Sequence, residues 1–308
     1  MRRALLVPFV WLGLVAPCRV APAQSADLEP AAPPDTQWIA AGWFTFGATE
    51  EDLQQARRLC VSERIPLALR LRGCASEELF ASELPARRVY LSRYGIDRYE
   101  VSQEELLRCV DAGACDPSSY ATQEPGLTHP SQPAIGLSFA LASALCRFRG
   151  GRLPTEAEWE RAARGDSGRR FPWGSFWNPG LANHGAPSLS FDPSAGAPSS
   201  DDGYGFLAPS IAFEASASPH GVVQMAGNVW EWTLDSFSPM RAQPLSVDPQ
   251  VQLDNGQRVV RGGSFRSPAT ALRVTHREGR PETRGFVDVG ARCVYDFPRS
   301  GSRLTEPP

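Results

Sequence analysis

The chain has 308 residues, 42% of them apolar, with 31 basic and 34 acidic side chains and a formal net charge of -3. That is enough apolar material for a sizeable core, read here as one large domain. No long run of one charge sign occurs, so neither nucleic acid nor an anionic membrane surface is expected as a partner.

The N-terminus reads as an export signal over residues 1–23: Arg2 and Arg3, an apolar stretch from Ala4 to Ala16, and Ala21-Pro22-Ala23 as a small-x-small cleavage site. The apolar stretch is shorter than the roughly 20 residues a bilayer span needs, so no membrane span is expected. A lipid anchor on Cys18 is the weaker reading, because bulky Pro17 sits where a small residue is required. The mature protein is therefore expected outside the cytoplasm, secreted or periplasmic. Residues 24–37, with Pro30, Pro33 and Pro34 among alanines, read as a flexible leader. The folded domain is placed at residues 38–297, and the polar, Pro-rich residues 298–308 read as a loose tail.

Past the signal remain Cys60, Cys74, Cys109, Cys115, Cys146 and Cys293, an even set in a chain sent to an oxidising compartment. Six cysteines allow 15 pairings. Proximity favours Cys60 with Cys74 and Cys109 with Cys115, which leaves Cys146 for Cys293.

The chain carries 27 Gly and 28 Pro, which predicts short elements joined by much loop, an irregular α+β domain. Arg87 to Leu91 reads as a strand. Ser102 with Glu105 forms a capping box, and Leu106, Leu107 and Val110 give the helix its apolar stripe before Gly113. Ser138 caps a second helix bearing Ala142, Leu145 and Cys146 on one face. Thr155 with Glu158 caps a third, after Pro154, with Trp159, Ala162 and Ala163 turned to the core. On that helix Glu156, Glu158 and Glu160 complement the N-terminus and Arg161 and Arg164 the other end. Phe171-Pro172-Trp173-Gly174 follows as an aromatic turn, and Arg258 to Val260 reads as a strand running into Gly262-Gly263.

Three runs carry the most information: GRLPTEAEWERAARG (Gly151 to Gly165), MAGNVWEWT (Met225 to Thr233) and VVRGGSF (Val259 to Phe265). In the second, an extended segment places Trp230 and Trp232 on one side and Glu231 on the other. A carboxylate desolvated among aromatics requires a cation, either an arginine or a hard metal such as Ca²⁺.

In this order the three runs resemble the sulfatase-modifying-factor domain of formylglycine-generating enzymes, and the likeness covers most of Trp38 to Asp296. The resemblance implies a compact, irregular α+β fold distantly like C-type lectins, and two structural calcium sites. One maps onto Asn183, His184, Asp202 and Tyr204, with His184 and Tyr204 acting through backbone carbonyls. The other maps onto Gln224, Gly227, Val229 and Glu231, where Gln224 departs from the usual Asp or Asn. The superfamily also contains sulfoxide synthases and secreted proteins without a known reaction, so the resemblance names a fold more firmly than an activity.

Formylglycine formation in this family resembles copper-dependent oxidation, with two thiolates after the glycine pair binding Cu(I). Soft thiolates suit that ion and serine does not. Counting from Gly262-Gly263-Ser264, the first position falls on Ser267 and the second on or near Leu272, and no cysteine lies anywhere between Cys146 and Cys293. Copper is therefore not expected. Cys146 and Cys293 match the family's structural disulfide.

The histidines, His129, His184, His220 and His276, show neither metal-pair spacing nor the three-histidine iron motif of the sulfoxide synthases. No phosphate loop or nucleophile elbow occurs. Polar groups expected near the family's cleft are Ser264, Ser267, Arg273 and His276, although His276 between Arg273 and Arg277 also reads as an exposed loop residue. The expected function is a secreted, calcium-stabilised, non-catalytic protein that binds a peptide, glycan or protein in a remodelled cleft. The alternatives are a different chemistry in that cleft, supported if His276 reaches a serine, and, ranked last, a copper-dependent oxidase that activates sulfatases.

Overall fold

A computed structural model describes residues 32–62, 74, 78–119, 127, 129–186, 197–198, 201–238 and 246–297. The expected signal segment, Cys18, residues 24–31 of the leader and the tail 298–308 lie outside the described residues.

The architecture is α+β, with short helices around small sheets. Strand β1 (Thr36–Ile39) takes in the last two residues of the expected leader. It pairs antiparallel with β4 (Tyr94–Asp97), whose other edge holds β11 (Val294–Asp296). A four-stranded sheet runs in the order β10 (Val289–Gly290), β7 (Trp230–Ser236), β8 (Gln257–Arg261) and β9 (Arg277–Pro281), with β10 parallel to β7 and the others antiparallel. Strands β2 (Gly42–Phe46) and β3 (Arg87–Leu91) form an antiparallel pair, as do the two-residue strands β5 (Gly185–Ala186) and β6 (Ala197–Pro198).

The three capped helices form where the sequence signals them. In α2 (Gln103–Asp111) the Ser102 hydroxyl accepts from the Glu105 N–H at 3.3 Å while Glu105 accepts from the Ser102 N–H at 2.9 Å, and Gly113 follows at φ +71°. In α3 (Phe139–Phe148) the Ser138 hydroxyl accepts from the Leu141 N–H. In α4 (Glu156–Arg164) Thr155 and Glu158 close the same reciprocal box. One helix lacks a counterpart in the sequence reading: α1 (Glu50–Ser62), which buries Leu53, Ala56 and Cys60.

Helix α4 departs from the amphipathic expectation, because every one of its residues is buried. Its acids do more than complement the helix dipole. Glu156 accepts from Arg261 at 2.6 Å and from Arg277 at 2.6 and 2.8 Å, and Glu160 accepts from Arg261 at 2.6 Å and Arg164 at 2.8 Å. Burial raises the cost of each charge, so the pairs must be complete to be tolerated. The helix is thereby bolted to β8 and β9 through ion pairs as well as through Trp159.

Three disulfides form: Cys60–Cys74, Cys109–Cys115 and Cys146–Cys293, the last joining α3 to the segment before β11. Their presence is compatible with an extracellular or periplasmic protein. Among the described residues no helix is long and apolar enough to cross a membrane.

Candidate functional site

Strand β8 ends in Gly262 and Gly263, both at positive φ (96° and 76°), and a Cβ on Gly263 would lie 3.1 Å from the Ala271 carbonyl and from Leu272. Glycine allows both the left-handed turn and this close approach. The turn aims the next segment inward. The Ser264 hydroxyl lies 3.3 Å from that of Ser267 and donates to Asp288 at 3.1 Å, while the Ser264 N–H donates to the Ser267 oxygen at 3.0 Å. Burial pushes the Asp288 carboxyl up, with Arg280 opposing. Leu272 is buried with Phe171, Ala182 and Ala226, next to the stacked Phe171 and Trp173 of the expected aromatic turn.

The expected cleft is covered. Ser264, Ser267, Arg273 and His276 are all buried. What covers Arg273 and His276 arrives from far away in the chain. A turn at Glu78–Glu83 delivers Glu83, 1% exposed, onto Arg273, which donates two bonds of 2.6 and 2.7 Å to its carboxylate. The Thr275 hydroxyl donates to the same group at 2.7 Å and His276 Nδ1 lies 3.2 Å from it. The Phe80 ring lies under the Arg273 guanidinium at 4.5 Å. Burial alone would raise the Glu83 pKa, but Arg273 and His276 outweigh it and hold the carboxyl well below the usual range.

The reading of His276 as an exposed loop residue is therefore corrected: the ring is 4% exposed. Burial works to lower its pKa, and Glu278 and Glu83 on either side raise it above the usual value. No hydrogen bond joins it to Ser264 or Ser267, and the acidic partner of Ser264 is Asp288. The serine and histidine needed for a nucleophile and base are not brought together.

The two predicted calcium sets differ. In the first, Asp202 accepts from the His184 N–H at 2.7 Å and from the Tyr204 N–H at 2.9 Å, so one carboxylate ties the two segments together. Asn183 donates to the Phe206 carbonyl and to Asn228, while its own Oδ1 is buried without a hydrogen-bond partner. A buried oxygen without a donor is chemistry that suits a hard cation.

In the second set the Gln224 Oε1 is likewise buried and unpartnered, and its amide donates to the Pro209 and Ser210 carbonyls. Gly227 donates to Gly262, and Val229 packs in a buried apolar cluster. Glu231 has its cation already: Arg292 donates to both of its oxygens at 2.7 Å, and the Trp159 indole donates at 2.6 Å. Asn228 links the two sets, donating to buried Glu100 at 2.7 Å while accepting from Asn183.

Residues 23–297 match the family described as sulfatase-modifying factor enzyme 1-like domain. The chain belongs to this family. It is 36% identical to a formylglycine-generating enzyme of Streptomyces coelicolor over 178 residues, 54% of each chain. It is 34% identical to a protein of Mus musculus named inactive C-alpha-formylglycine-generating enzyme 2 over 168 residues, 53% of this chain and 48% of that one. It thus spans about half the length of these relatives. Among solved structures, PvdO from Pseudomonas aeruginosa superimposes with a TM-score of 0.60 at 23% identity, covering 83% of this chain and 92% of that one, a likeness of fold.

The resemblance maps the family's copper thiolates onto Ser267 and onto or near Leu272. One is an acceptor for the Ser264 N–H and the other is part of an apolar cluster. The sequence reading missed Glu83 and Asp288. Neither sits in a motif, and Glu83 is 190 residues from the arginine it meets.

Proposed function

We propose that this protein is an exported, non-catalytic sulfatase-modifying-factor protein that binds a peptide, glycan or protein partner, not an oxidase of cysteine. The observation that carries this is the pair Ser267 and Leu272. A hydroxyl and an alkyl group cannot hold Cu(I), and both side chains are already used in hydrogen bonding and packing. The relative named inactive is a precedent within the family for loss of this activity. Export is supported by the three disulfides together with the basic and apolar start of the sequence. A different chemistry on Ser264 finds no support, because the groups hydrogen-bonded to its hydroxyl include no histidine.

The test is oxidation of a Cys-x-Pro-x-Arg peptide by the purified protein with Cu(I) and oxygen, followed by mass spectrometry. No aldehyde product is expected; formation of formylglycine would overturn the reading.

Calcium is proposed as a structural ion at Asn183, His184, Asp202 and Tyr204, supported by the unpartnered Asn183 oxygen. It would tie the loop carrying Asp202 to the β5 segment. Saturating calcium at about 100 times Kd adds about 2.7 kcal/mol to a folded state that alone binds it. At about 2–4 °C per kcal/mol for a domain of this size, the midpoint of thermal unfolding should rise by about 5–10 °C over the chelator-treated protein. An Asn183→Ala variant should lose the increment. Equal midpoints with calcium and with chelator would remove the site.

A further inference from the structure

Strands β2 and β3 are paired neighbours whose register closes at Phe46↔Arg87, a geometry that a turn of about two to five residues can connect. Here the chain leaves instead as an excursion over residues 47–86. Its neck is closed by the Ala48 N–H donating to the Glu83 carbonyl at 2.8 Å, and Cys60–Cys74 ties it internally. Its own small core is Ala48, Leu53, Ala56 and Phe80. The excursion starts and ends at adjacent strand positions, so the β2–β3 pairing does not need it.

Among its described residues, the excursion packs over the turn at Ala269–Leu272 and Arg273. Helix α1 packs on the turn at Ala269–Leu272, with Leu59 against the cluster that contains Leu272. Glu83 fills the convergent donors of Arg273, Thr275 and His276. Those donors are arranged for one chemistry. Arg273 is fixed by its own Nε–H donating to the Thr270 carbonyl at 2.9 Å, which leaves its two terminal nitrogens as a fork for a carboxylate.

Arg273 also borders a recess outside the cover. A recess of about 230 Å³ between α1 and the aromatic turn has Arg273 in its wall, with Arg58 and Arg170 beside it and Phe176, 84% exposed, at its mouth. Arg170 already faces Asp52 at 3.4 Å, and Arg58 at the wall with an aromatic ring at the rim suits an extended acidic segment.

We propose that Arg273, Thr275 and His276 form a carboxylate-binding site for an acidic peptide segment of a partner, and that Glu83 occupies it in cis as a displaceable stand-in. This rests on the reading of the protein as a binding protein and names its ligand class. The partner's glutamyl carboxylate replaces that of Glu83, while the remainder of the acidic segment lies along the recess. The cation at Arg273 is never left without an anion, which is what makes exchange feasible where simple opening is not.

The test uses the full mature chain and a fluorescein-labelled peptide of residues 80–87, with a second peptide carrying Gln in place of Glu83. Glu83→Ala is expected to bind the Glu peptide at least about tenfold more tightly than wild type does, since a hydrogen-bonded charge is worth that factor. Binding should vanish in E83A/R273A and with the Gln peptide. Where E83A fails to fold, Glu83→Gln keeps the side-chain volume and carries the same comparison. In wild type, excess Glu peptide should speed amide exchange in α1 while β7 and β8 stay protected. A folded variant that binds the Glu and Gln peptides equally overturns the proposal, as does wild-type α1 exchange that is indifferent to saturating peptide. An aldehyde product in the oxidation assay would remove the non-catalytic reading instead, and would leave this binding comparison standing.

Discussion

Replacing Arg292 with alanine should cost about 3–5 kcal/mol of folding stability, the range for breaking a buried ion pair from one side. Arg292 is fully buried and makes bonds in three directions: to both Glu231 oxygens, to the Asp97 and Arg98 carbonyls, and to the Val223 carbonyl. It joins β7 to the end of β4 and to the loop before Met225. Alanine leaves Glu231 buried with the Trp159 indole as its remaining donor, and takes one donor from each of three carbonyls, of which that of Arg98 keeps the Val223 N–H. Thermal unfolding should fall by about 6–20 °C at about 2–4 °C per kcal/mol. The paired variant E231L/R292M removes both charges and should be more stable than R292A, because no orphaned carboxylate remains. If R292A unfolds within about 1 kcal/mol of wild type, the pair is not the brace described.

The same arrangement explains which parts of this protein can be read from its sequence. Capping boxes are local: Ser102 with Glu105 and Thr155 with Glu158 lie three residues apart, so their helices announce themselves, and both form. The stripe Leu53, Ala56, Cys60 behind an acidic first turn was also present for α1, but at lower contrast in a polar stretch, and it went unread. The tryptophans around Glu231 could be placed on opposite sides from it by strand alternation. The choice between arginine and metal could not, because Arg292 is 61 residues away and reaches Glu231 only through the pairing of β10 with β7.

The candidate site shows the same division. The replacement of the family's thiolates by Ser267 and Leu272 follows from counting along one short run. That Arg273 and His276 are buried does not, because they are covered by Glu83 and Phe80, which have no motif and lie about 190 residues upstream. Long-range ion pairs in the core, such as Glu156 with Arg261 and Arg277, were read as helix-end complementarity for the same reason. Local chemistry sets the elements, and the assembled sheet selects which charges meet.

Removing the Cys146–Cys293 bridge by substituting both with alanine should cost more than removing Cys109–Cys115, and the difference tests where the bridges act. The two sulfur pairs span 147 and 6 residues of sequence. If each bridge acts mainly by restricting the unfolded chain, the expected losses are about 5 and about 2 kcal/mol respectively. Both bridges are buried, so the packing lost on going to alanine is similar in kind at the two sites and does not produce that ordering. Urea unfolding at neutral pH without reductant should show a much lower midpoint for C146A/C293A. It should also show a steeper dependence on denaturant, since the unlinked chain exposes more surface when it unfolds. Equal losses in the two variants would mean that the bridges act within the native state, where Cys146 anchors α3 to the segment carrying Arg292. In that case C146A/C293A should also loosen the Arg292–Glu231 pair, and adding R292A to it should cost less than R292A costs alone.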